Sequence, residues 1–224
     1  MIASFPAAGA GRGFRWLTGR DHVACANASS VDDLSSGRWE HDTTKEIVRT
    51  AAEVSARHVV LVGHSMGGLS ALRLSGELGP ALGVPVGVLL LNTPCPDSTG
   101  RIPTMSRSSD TEIADVLAGD GFPPEVLADP ELLAEVAAGV RTDAEVADRL
   151  AEWVNSTADV DRLHVVTTRG DFFIGMERCA RWRGRVTTEF VLVEAEGSHM
   201  LDGTPPEVLH AAVDSVVASL GDIG

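Results

Sequence analysis

A chain of 224 residues with 44% hydrophobic content is long enough for one domain with a sizeable core. Acidic side chains outnumber basic ones by 32 to 18, a net charge of −14, and no Lys/Arg run exists to neutralise a nucleic-acid backbone or grip anionic lipid. No apolar stretch approaches the roughly 20 residues needed to span a bilayer, and the opening MIASFPAAGA lacks the charged and apolar regions of a secretion signal. Cys25, Cys95 and Cys179 are odd in number and lack CxxC or Cys/His spacing, which fits reduced thiols in a cytoplasm and implies neither a disulfide framework nor a zinc site.

In chain order, short apolar runs predict strands at 2–5, 22–26, 58–62, 86–92, 163–168 and 188–193. Amphipathic spacing predicts helices near 43–56, 66–78, 174–182 and 206–219, the last opening on Pro205-Pro206, which suits a helix N-terminus. The alternation is that of an α/β protein, a mostly parallel sheet covered by helices. Strand signals stop for about 70 residues after Asn92, longer than an ordinary crossover, and helical segments such as PPEVLADPELLAEVAAGV and TDAEVADRLAEWV take over. The expectation is a single domain over 1–224 with a helical lid inserted at about 97–158.

The sharpest motif is HVVLVGHSMGG, an apolar strand turning at Gly63-His64-Ser65-Met66-Gly67 into the helical pattern LSALRLSGEL. A G-x-S-x-G in this setting forms a nucleophile elbow, whose strained turn holds Ser65 above the sheet while small neighbours let strand and helix approach. The amide of Met66 then lies where it can donate to an oxyanion; the side chains of His64 and Met66 are read as packing residues.

A serine hydroxyl needs a base, expected late in the chain after the last strand, and His199 in EGSHM stands there. His22, His58 and His164 open predicted strands, His41 precedes a helix and His210 lies inside the last one. Two strand ends offer a partner for the imidazole: Asp171 after LHVVTTRG, and Asn92 after VLLL, an amide that can orient a histidine but cannot offset its charge. Asp171 is the expected acid, Asn92 an auxiliary or a vestige, and Asp202 a turn residue or cap. The small-residue loop PAAGAG after the first strand suits the second oxyanion amide, from Ala8 with Ala7 in reserve. Cys95, near the expected mouth, is most simply a small apolar filler.

Together SFPAAGAG, GHSMGG, the lid stretch GFPPEVLADPELLAEVAAGVRTDAE, TTRGDFFI and EGSHMLD resemble the thioesterases that belong to or act beside polyketide synthases and nonribosomal peptide synthetases, from about Ile2 to the last helix. The resemblance implies an α/β-hydrolase fold with Ser65 as nucleophile, His199 as base, Asp171 as acid, and Ala8 and Met66 as oxyanion donors. Chain-terminating members carry their acid where Asn92 stands, so the likeness is to the free-standing, type II enzymes. It further implies acyl groups on an acyl carrier protein or its pantetheine arm as substrate, with no cofactor. Arg12, Arg15 and Arg20 are candidates for docking an acidic carrier. The competing readings are a cyclising thioesterase, a carboxylesterase or lactonase acting on a free small molecule, and a degenerate hydrolase kept as a binding module.

Overall fold

Alternating side chains in the apolar runs sort onto two faces of one sheet, and both faces must be covered for such strands to be stable. The computed structural model describes residues 1–9, 14–96, 105–119, 122–157 and 159–221. Arg12 and the expected start of the lid, 97–104, lie outside them. Six parallel strands, β1 (Ile2–Phe5), β2 (His22–Ala24), β3 (Val59–His64), β4 (Val86–Leu91), β5 (Val160–Gly170) and β6 (Val186–Ser198), stand in the order β2-β1-β3-β4-β5-β6.

The helices are α1 (Val31–Ser35), α2 (Arg38–Glu53), α3 (Met66–Leu82), α4 (Asp110–Gly119), α5 (Pro124–Ala128), α6 (Pro130–Ser156), α7 (Met176–Ala180) and α8 (Pro206–Gly221). Ala3, Phe5, Val59, Leu61, Val88, Leu90, Leu163 and Val165 point into one core with Leu34, Ile47, Leu74 and Leu150 from α1, α2, α3 and α6. Their neighbours Ile2, Val60, Val62, Leu89, Leu91 and Val166 point the other way, against Leu209, Val213 and Val216 of α8.

Several boundaries differ from expectation for definable reasons. Helix α2 opens five residues before the predicted start, so His41 lies within it; its cap is Gly37 at φ 71°, where no Ser, Thr or Asp announces the start. The predicted 174–182 helix breaks at Arg181 into a 3-10 turn. The polar ends of β6, an edge strand with solvent on one side, extend it well beyond 188–193.

Of the two helical segments expected in the lid, the first opens with α5 and from Pro130 on it is continuous with the second in one 27-residue helix, α6, capped by Asp129 accepting the N–H groups of Glu131 and Leu132. Its first half packs Ala137 and Val140 on Ile113 of α4, in a cluster of their own. Its second half buries Val146, Leu150 and Val154 in the main core. Helix α6 therefore belongs to two clusters, one shared with α4 and one with the helices that cover the sheet.

Candidate active site

The strand order reverses direction between β1 and β3, and in open parallel sheets the crevice at the carboxyl ends of such strands is where ligands bind. Strand β3 ends there at His64 and α3 starts at Met66, with Ser65 alone in the turn at φ 53°, ψ −119°, a conformation that costs a non-glycine residue about 1–3 kcal/mol. The strain is held from both sides. Ser65 N–H donates to Leu91 O at 2.9 Å, and Ser65 O accepts from Gly68 N–H at 3.0 Å and from the Thr93 hydroxyl at 3.1 Å. A Cβ on Gly67 would stand 2.3 Å from Phe5 O, and one on Gly68 2.1 Å from Thr93 Oγ1, so these glycines seat α3 against the ends of β1 and β4.

Ala7 and Ala8 follow β1 at that seat, Ala7 buried and Ala8 partly so. Pro6 O, before them, accepts from the side chain of Asn27 at 2.8 Å. Met66 opens α3, where the first-turn amides have no acceptor inside the helix and carry its positive end.

The acid and histidine loops leave β5 and β6 side by side, with Gly170 and Ser198 in register. His199 Nδ1 lies 2.8 Å from Asp171 Oδ2, and both residues are about 5% exposed or less. A carboxylate can only accept, so this contact selects the Nδ1–H tautomer and leaves Nε2 with a free lone pair. The other oxygen of Asp171 accepts the N–H groups of Phe173 and Ile174 at 3.0 and 2.8 Å, which fixes the carboxylate plane. The Phe173 ring stands edge-on to the imidazole, 5.7 Å between centroids.

Two side chains tie the backbone of His199 to the elbow and to the end of β4. His64, next to the serine, donates Nε2–H to His199 O at 2.7 Å, with 5.2 Å between the two rings. The amide of Asn92 donates to the same oxygen at 2.9 Å and, less closely, to Ser198 O, while its carbonyl accepts Thr168 N–H at 2.9 Å. Asn92 thus grips the histidine loop by its backbone, not by the imidazole. Its own φ of 44° suits an asparagine.

Asn92→Leu is expected to strand these buried carbonyls and the Thr168 amide, and should destabilise the fold by about 3 kcal/mol in a denaturant titration. Asn92→Asp should fail similarly, since a carboxylate cannot donate to His199 O.

His64, read from sequence as packing, proves to be a hydrogen-bonding residue as well, and complete burial pushes its pKa down to about 3. The unfolded chain takes up a proton near pH 6.5, the native protein only near 3. Stability is therefore full above 6.5 and declines as pH falls through that window, by about 2 kcal/mol from this group at pH 5. Denaturant titrations at pH 7 and 5 should show that loss shrinking in His64→Gln.

Of the remaining sequence candidates, Arg20 forks onto Asp214 of α8 at 2.9 and 3.3 Å, so its charge is already engaged. Arg15 is exposed in a 3-10 turn. Asp202 takes part in the turn that carries His199, its carbonyl accepting Ser198 N–H at 2.9 Å. Cys95 packs in the main core. Among the described residues, no group of three His, Cys, Asp or Glu could hold a metal ion, and no helix is long and apolar enough to cross a membrane. Asn27, Thr93 and Thr168 escaped sequence reading because their partners lie 21 to 76 residues away.

A parallel sheet, a serine in a forbidden turn before a helix, and a carboxylate-bound histidine beyond the last strand define the α/β-hydrolase architecture. The chain belongs to the alpha/beta hydrolase family, whose sequence pattern matches residues 5–214. No curated protein sequence matches it. Among solved structures it is similar in fold to the thioesterase RedJ of the prodiginine pathway in Streptomyces coelicolor, at 19% identity and a TM-score of 0.66 over 95% of this chain and 89% of that one. The type II thioesterase BorB of the borrelidin cluster gives 19% and 0.63 over 97% and 91%. YbtT, a type II thioesterase of the yersiniabactin pathway, gives 15% and 0.69 over 99% and 92%.

Proposed function

We propose that the protein is a serine thioesterase that hydrolyses acyl groups from the phosphopantetheine arm of a carrier protein, in polyketide or nonribosomal peptide synthesis. The observation that carries the serine-hydrolase part is the buried His199–Asp171 hydrogen bond of 2.8 Å, on a loop tied to the turn that holds Ser65. The thioester preference is supported by the likeness in fold to thioesterases of such pathways and by the helical segment between β4 and β5, which reaches the loop after β1.

In this reading His199 Nε2 takes the Ser65 proton as Oγ bonds to the thioester carbonyl carbon, and the amides of Ala8 and Met66 hold the resulting oxyanion. The C–S bond breaks and the imidazolium returns the proton to the departing sulfur. Water then loses a proton to Nε2 and adds to the acyl-serine; Ser65 leaves protonated and a carboxylic acid is released. Asp171 keeps the imidazole in the right tautomer and balances its charge in both halves.

The test is a panel of acyl-pantetheine thioesters beside aryl esters of the same acids, with products weighed by mass spectrometry. Free acid should form faster from the thioesters. Preferential cleavage of the aryl esters would move the protein to the carboxylesterases, and lactone in place of acid to the cyclising enzymes. Failure of every substrate, together with failure of a phosphonate to label Ser65, would leave a binding module.

A further inference from the structure

The inward stripe of α6 reads Ala137, Val140, Asp143, Val146, Leu150 and Val154, at intervals of three or four residues. One carboxylate interrupts five buried apolar side chains, at the point where the helix passes from its small cluster with α4 to the main core. Asp143 itself is half-buried, and a carboxylate partly withdrawn from water gains from a donor. Asp143 Oδ2 accepts the backbone N–H of Gly9 at 2.7 Å, across 134 residues of chain. Val140, one turn earlier, faces the same glycine: a Cβ there would stand 3.8 Å from Val140 Cγ2. Burial pushes the Asp143 carboxyl up and the Gly9 N–H draws it partly back.

Gly9 follows Ala8 and has φ 68°, in the left-handed region that glycine adopts without strain. The near end of this loop is held by Asn27 on Pro6 O and by the close seat of Gly67 beneath Phe5 and Pro6. At Gly9, the Asp143 side chain grips the backbone.

We infer that Asp143 is a positioning residue which, through Gly9, sets the direction of the Ala8 amide and so couples the placement of α6 to oxyanion stabilisation. The inference rests on the reading of Ala8 as an oxyanion donor. It makes the helical segment part of the catalytic geometry as well as a cover: where α6 sits, the amide is aimed.

The experiment uses the whole protein, an acyl-pantetheine thioester as substrate, and an alkyl trifluoromethyl ketone as a probe that forms a tetrahedral adduct on serine. Asp143→Ala should lower kcat about 10- to 50-fold, a fraction of what loss of an entire oxyanion donor costs. KM should move less than threefold and affinity for the ketone should fall in parallel with kcat. Asp143→Asn, which keeps an oxygen acceptor, should retain kcat within about threefold of the parent. Equal losses in the Ala and Asn variants, a change confined to KM, or an unaltered kcat in Asp143→Ala at unchanged melting temperature would each overturn the inference. If the parent protein itself neither turns over thioester nor binds the ketone, the underlying functional reading is what has failed.

Discussion

Ser65→Ala is expected to yield a folded protein whose thioester turnover has dropped by at least about 10⁴-fold, since nucleophile and base act as one unit and removing either removes most of the unit's effect. The melting temperature should stay within a few degrees, because alanine is no more comfortable than serine at φ 53° and the turn is held by backbone bonds that alanine keeps. Ser65→Gly adds a second readout. Glycine accepts that backbone conformation, so this variant should be equally inactive yet more stable than the parent by about 1 kcal/mol. Activity assays with calorimetry on both variants decide the matter; turnover near the parental rate in either would exclude Ser65 as nucleophile.

Asp171→Asn is expected to cost about 10³- to 10⁴-fold in kcat. The present carboxylate accepts at both oxygens, from His199 Nδ1 on one side and from Phe173 and Ile174 N–H on the other. An amide has one oxygen and one NH₂ group. If it faces its oxygen to the imidazole, its NH₂ opposes two backbone donors; turned over, it donates to Nδ1 and drives the ring into the tautomer with no lone pair on Nε2. Either arrangement damages the site, and the first should also destabilise the loop by about 2 kcal/mol. Rates measured as a function of pH, with thermal melts, separate the two. A variant within tenfold of the parent would show that Asp171 is not the acid.

What was legible in the sequence was what is local. Gly63 to Gly67 announce a turn within five residues, and Asp171 and His199 each follow an apolar strand. That the two side chains meet at 2.8 Å then follows from β5 and β6 being neighbours in a parallel sheet. Asn92 was visible as an amide at a strand end, but its real partners are the Thr168 hydroxyl and backbone groups 76 to 107 residues away, and no spacing rule reaches that far. Asp143 was passed over, although the signal was present: one acid on the apolar stripe of a helix. It stands second in TDAEVADRLAEWV, and it joins the stripe that starts at Ala137 only because α6 is continuous through Gly139. A glycine inside a helix costs about 1 kcal/mol, which packing of α6 against two clusters easily outweighs.

The outer edge of β6 bears on how copies of the protein meet. Thirteen residues of extended backbone lie at the rim of the sheet, where another copy could add its own strand and begin an aggregate. Glu189, Glu194 and Glu196 are spread along that rim, and Arg169 reaches across to the latter two. A second molecule approaching edge to edge would bring the same carboxylates into opposition. Charged side chains spaced along the rim thus disfavour strand addition by a second copy.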